Sequence, residues 1–90
     1  MSRCSRTVAI LNRRGLHARA SMAFVTLAST QPVELTVEKD GNSASGTSIL
    51  DLMMLGAAKG DAVELTVSGQ AAEERLAQLV ALIEDGFGED

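Results

Sequence analysis

VELTVEKDGNSAS, residues 33–45, alternates apolar and polar side chains until it reaches Asp40-Gly41. On a strand, Val33, Leu35 and Val37 fall on one face and Glu34, Thr36 and Glu38 on the other. An Asp-Gly pair suits the two left-handed positions of a type I′ turn, so a weaker strand returns over residues 42–45. A sheet with one apolar and one polar face buries one side and wets the other, which favours antiparallel pairing.

The same reading extends in both directions. TSILDLMMLG, residues 47–56, reads as a short helix ended by Gly56. DAVELTVSG alternates again, with Val63, Leu65 and Val67 on one face. AAEERLAQLVALIEDG is a helix with Leu76, Leu79, Val80 and Ile83 on one side, Glu73 and Glu74 in its first turn, and Gly86 as its stop. Toward the start, the β-branched and apolar run at residues 6–11 predicts a strand ending at Asn12. From Ala18 to Ser29, Ala20, Ala23, Phe24, Leu27 and Ala28 recur at helical spacing, and Pro32 keeps that helix from extending. The order is β-α-β-β-α-β-α. It predicts an α+β open-faced sandwich, a four-stranded antiparallel sheet with three helices on one face, as one domain over residues 1–90.

Composition narrows the function. The chain is 46% hydrophobic with two Phe and neither Trp nor Tyr, so its core is aliphatic. A net charge of -4 argues against nucleic acid as a partner. Cys4 is the one cysteine, which rules out an internal disulfide and suits a reducing compartment. No stretch has the length of a membrane span or a signal-peptide core, so the cytoplasm is expected. With one histidine and one thiol, no metal site is expected, and no cofactor motif is present.

The histidine lies in NRRGLHARAS, residues 12–21. His17 falls at the start of the first helix, where backbone N–H groups without helical partners favour an anion. Arg19 lies close enough to fork onto phosphate oxygens, and Gly15 permits an unusual backbone or a close approach. Gly15 and Ala18 are expected to line a phosphate cradle beside a nucleophilic imidazole suited to transient phosphorylation. The unremarkable alternative is a solvated helix-start histidine in a basic loop.

GLHARAS resembles the active-site motif of the histidine-containing phosphocarrier family, HPr, of bacterial phosphotransferase systems. Gly15, Leu16, His17, Ala18, Arg19 and Ala20 meet its positions, Ala20 standing where proline is common. TSILDLMMLG resembles the family's second signature, with Ser48 at the helix start. The endings AAKG and GFGED look like the nitrogen-related branch, NPr. Thr47 replaces the basic residue often found before the serine, and Thr26 and Ser29 stand where many sugar-system members carry lysine.

The resemblance implies a phosphocarrier rather than an enzyme. His17 would accept a phosphoryl group at Nδ1 from phosphorylated enzyme I and pass it to a histidine of an EIIA-type protein, with Arg19 assisting. Ser48 would be a regulatory site for an HPr kinase/phosphorylase, and the carrier a monomer. Ser48 and Asp51 also have capping-box spacing, so Ser48 or Thr47 caps the short helix in any case. Ile49 to Leu55 hold more apolar side chains than one short helix can bury. Ile49, Leu50 and Met53, with Ala20, are therefore expected to form a partner-binding patch. The rival readings are an RNA-binding module of RRM order and a small-molecule-sensing domain. The first lacks aromatic residues among outward positions such as Glu34, Glu38 and Glu64, and the second leaves GLHAR unexplained.

Overall fold

Asp40 and Gly41 take φ +51° and +83°, the two left-handed positions of the expected turn, and Lys39 pairs with Asn42 across it. In the computed structural model, which describes residues 2–89, the elements run β1 (Ser2–Ala9), α1 (Ala18–Ala28), β2 (Val33–Lys39), β3 (Asn42–Ser45), α2 (Ile49–Met54), β4 (Ala62–Gly69) and α3 (Ala72–Glu84). A 3-10 turn over Gly86–Gly88 follows. The four strands form one antiparallel sheet in the order β1-β4-β2-β3. Val8, Leu35, Val37, Ala44, Val63, Leu65 and Val67 point into the core, and Glu34, Thr36, Glu38 and Glu64 stay in water.

The helices cover the apolar face. α3 packs on β1 and β4, α2 against β3, and α1 against both other helices. Leu76, Leu79, Val80 and Ile83 of α3 are buried, as are Phe24 and Ala28 of α1. Burying aliphatic area of this kind stabilises by roughly 25 cal/mol per Å², which holds the two layers together.

Two expectations need correction, and one feature has no counterpart among them. β1 begins at Ser2 and ends at Ala9 instead of spanning 6–11. Its first residues lack apolar alternation because β1 is an edge strand and most of it is exposed. Backbone pairing with β4, from Ser2 opposite Gly69 to Ala9 opposite Ala62, makes it a strand. On α1, Ala23 and Leu27 are only partly buried, whereas the polar Ser21 is fully buried, its hydroxyl donating to the Leu16 carbonyl at 3.2 Å. The turn after α3 was not expected at all. Phe87 in it is buried at φ +58°, a left-handed conformation uncommon for an aromatic residue.

Candidate functional site

The loop between β1 and α1 is shaped before it reaches the imidazole. The Gly15 N–H donates to the Asn12 carbonyl at 3.2 Å, and the Leu16 N–H donates to the Ala57 carbonyl at 2.9 Å. Gly15 adopts φ +64°, and a Cβ there would lie 2.3 Å from the Ala57 oxygen. Only glycine fits. Leu16 is buried, so the chain enters α1 with a fixed direction.

His17 is the N-cap of α1. Its backbone is extended, its carbonyl accepts from the Ser21 N–H at 2.9 Å, and its Nδ1 accepts from the Arg19 N–H at 3.3 Å. No acidic residue lies in the first turn of the helix. An open cleft at this end is lined by His17, Arg13, Arg14, Arg19, Phe87 and Glu89. Three guanidinium side chains, a helix N-terminus and an imidazole meet there, a combination that attracts a multiply charged anion.

The other ring nitrogen is also occupied. His17 Nε2 lies 2.7 Å from Glu89 Oε2, with the two side chains 23% and 19% exposed. The second oxygen, Oε1, accepts from Asn12 Nδ2 at 2.9 Å, and that amide also donates to the Gly15 carbonyl at 2.8 Å. The Asn12 hydrogen bond, with smaller contributions from His17 and Arg19, holds the Glu89 carboxyl below the usual glutamate range against the opposing effect of burial.

The N-terminus of α2 is built more plainly. Ser48 is the N-cap, and its hydroxyl accepts from the Asp51 N–H at 3.2 Å. Ser48, not Thr47, caps the helix. The expected reciprocal half of the capping box is absent among the described residues: the Ser48 N–H donates to the Ser45 carbonyl at 3.2 Å instead. An Asp side chain is one methylene shorter than the Glu that usually closes the box.

The model of the family described as the PTS HPr component phosphorylation site matches residues 4–85. The chain belongs to the HPr family. Over 83 residues it is 43% identical to the phosphocarrier protein HPr of Neisseria meningitidis serogroup A, covering 92% of this chain and 93% of that protein. The phosphocarrier protein NPr of Escherichia coli is 39% identical over 85 residues, covering 93% and 94%. The crystal structure of HPr-C-His from Thermoanaerobacter tengcongensis matches the fold with a TM-score of 0.91 at 40% identity, covering 97% and 98%. The likeness to the NPr branch fits this set. As an HPr-family protein the chain is a phosphoryl carrier of the phosphotransferase system, and neither the RNA-binding nor the sensing alternative is favoured.

Within this HPr fold, not every residue singled out in the sequence lies where the motif suggested. Ala20 is fully buried on the core side of α1, which leaves it no surface to offer a partner. Gly15 is buried with its N–H already bonded, so it shapes the loop and has no free donor for a phosphate. Ala18, the first helical residue, is exposed at the helix start, beside Arg19. In α2, Leu52 is core and Ile49 half-buried, while Leu50, Met53 and Met54 are exposed, as is Met22 on the adjoining α1. Asn12 and Glu89 were missed. Asn12 read as the end of a strand, and the ending GFGED offered only a likeness, since Glu89 lies 72 positions from His17.

Proposed function

We propose that His17 is the residue that carries the phosphoryl group, taking it from phosphorylated enzyme I and delivering it to a histidine of an EIIA-type protein. The observation that carries this reading is the position of His17 as N-cap of α1, in a cleft lined by Arg13, Arg14 and Arg19. The N–H groups of the first turn and the Arg19 guanidinium neutralise phosphoryl oxygens, and the partly exposed ring leaves the group accessible to the next acceptor. Phosphoryl transfer between two such sites needs alignment and charge stabilisation above all.

Leu50, Met53, Met54 and Met22 form the surface on which both partners dock, a flexible apolar face suited to more than one protein. Ser48, half-buried beside that surface, is the site where an HPr kinase/phosphorylase would act. The carrier works as a monomeric single domain over residues 1–90 in the cytoplasm. No described helix is long and apolar enough to cross a membrane.

The test is direct. With phosphoenolpyruvate, Mg²⁺ and enzyme I, the protein gains one acid-labile phosphoryl group, and His17→Ala gains none. Retained acid-labile labelling in His17→Ala would overturn the reading.

A further inference from the structure

The segment after α3 has no evident reason to return to the N-terminus of α1, yet it does. Gly86, Phe87 and Gly88 take φ +65°, +58° and +77°, three left-handed residues in succession that reverse the chain. The buried side chain of Phe87 anchors the reversal, and Glu89 follows two residues later. Its carboxylate then engages Asn12 through Oε1 and His17 through Oε2. Asn12 is 2% exposed, and both groups facing its Nδ2 are acceptors, the Gly15 carbonyl and the carboxylate. Turning the amide over would set oxygen against oxygen twice, so its orientation is settled.

The contacts on the imidazole are equally restrictive. A carboxylate at 2.7 Å needs a proton on Nε2, and the Arg19 N–H pointing at Nδ1 needs a lone pair there. Each contact independently selects the Nε2–H tautomer. We infer that Glu89, latched by Asn12, is a positioning residue that holds His17 with its proton on Nε2, so that Nδ1 is the atom presented to phosphorus. This deepens the carrier reading and rests on His17 being the acceptor. In the transfer, the Arg19 N–H releases Nδ1, whose lone pair forms the N–P bond while the bond from phosphorus to the donor atom breaks and its electron pair leaves with the donor; the freed N–H is left to a phosphoryl oxygen. The Nε2 proton stays on the ring. The ring becomes cationic as the bond forms, and the carboxylate beside Nε2 is its counter-charge. When the group moves on, the electron pair of the N–P bond returns to Nδ1 and the starting tautomer is restored.

The experiment combines imidazole ¹⁵N NMR of the unphosphorylated full chain with the rate of phosphoryl acceptance from enzyme I. In the neutral ring, wild type should give a pyrrole-like Nε2 and a lone-pair-bearing Nδ1. In Glu89→Ala the two ¹⁵N shifts should move toward each other as tautomers mix, and acceptance should slow by about tenfold. Glu89→Gln loses the charge and has one acceptor oxygen for two donors, the Asn12 amide and the His17 Nε2–H, so its ¹⁵N shifts should move less than those of Glu89→Ala while acceptance still slows. Asn12→Ala should move both readouts in the same direction as Glu89→Ala, by less. An unbiased tautomer in wild type, or unchanged ¹⁵N shifts and rate in Glu89→Ala, overturns the inference. The NMR readout requires no transfer, so it can fail while His17 remains the phosphorylated residue. Labelling retained in His17→Ala would instead remove the carrier assignment on which the role of Glu89 depends.

Discussion

The N-termini of α1 and α2 are built on the same local plan and differ in what surrounds them. Each is capped by a side chain that accepts a backbone N–H, the imidazole of His17 in one and the hydroxyl of Ser48 in the other. Each cap stands two residues after a glycine, Gly15 or Gly46, packed against a neighbouring element. At α1 the first turn carries no acid, and three arginines line the cleft against one carboxylate, that of Glu89, which is held by Asn12 and His17. At α2 the first turn already holds Asp51, and the helix is only six residues long. A helix start surrounded by cations takes up an anion; one that already has a carboxylate gains less from another. Capping alone therefore does not make a phosphate site. The charges around the cap do, and at α1 the three arginines come from the same stretch, residues 12–21, as the histidine.

The two helix starts differ most in how their glycines are packed. At Gly15 a side chain meets the Ala57 backbone and must also adopt a left-handed φ, so Gly15→Ala should cost about 2–4 kcal/mol. At Gly46 the obstruction is the Leu35 side chain, 2.3 Å from the added Cβ, and φ is unrestricted. The clash includes Leu35 Cγ and Cβ, which a rotamer change alone does not clear, so Gly46→Ala should cost about 1–3 kcal/mol, less than Gly15→Ala because no left-handed φ is added. Urea unfolding of both variants checks the order, and equal losses would mean that the Ala57 backbone gives way.

Arg19→Lys isolates the guanidinium from its charge at the α1 cap. Lysine keeps the charge but lacks the fork, so acceptance should slow roughly tenfold with unfolding unchanged. Stopped transfer assays against enzyme I measure it, and a wild-type rate would make the guanidinium a bystander.

At the other cap, Ser48→Ala should lose about 1 kcal/mol of stability and accept phosphate at the wild-type rate. Ser48→Asp, measured alongside, should stay folded and accept more slowly, because its charge opposes an anionic donor docking on the α2 surface. Equal acceptance in all three proteins would leave Ser48 a helix cap and nothing more.

The smallest effect is one of pH. Because the native Glu89 carboxyl lies below the ordinary glutamate range, chiefly through Asn12, its contribution to stability is complete above that range and is lost as pH falls through the native value. A ¹³C titration of the Glu89 carboxyl should place it low in wild type and nearer the ordinary value in Asn12→Ala. Among the described residues, the α2 end has no corresponding latch.

Much of the architecture was legible because it is periodic. Val33, Leu35 and Val37, Val63, Leu65 and Val67, and Leu76, Leu79, Val80 and Ile83 each repeat at the spacing of their element, and all but the partly buried Val33 lie in the core. Strand β1 escaped that logic because an exposed edge strand has no apolar period to display. Ala20 was misread for a related reason: a motif position suggests chemistry, but which face of α1 it occupies depends on how the helix docks.

By itself the sequence determined the β-α-β-β-α-β-α order, the Asp40-Gly41 turn, and His17 and Ser48 at two helix starts, since period, turn chemistry and capping act over a few neighbouring residues. Only the tertiary structure decided that Asn12 and Glu89 stand behind the imidazole, and that Gly15 is pressed against Ala57. Those contacts join residues far apart in the chain. They exist because α3 crosses the sheet and Phe87 turns the segment back, and no local pattern in the sequence encodes where such a path ends.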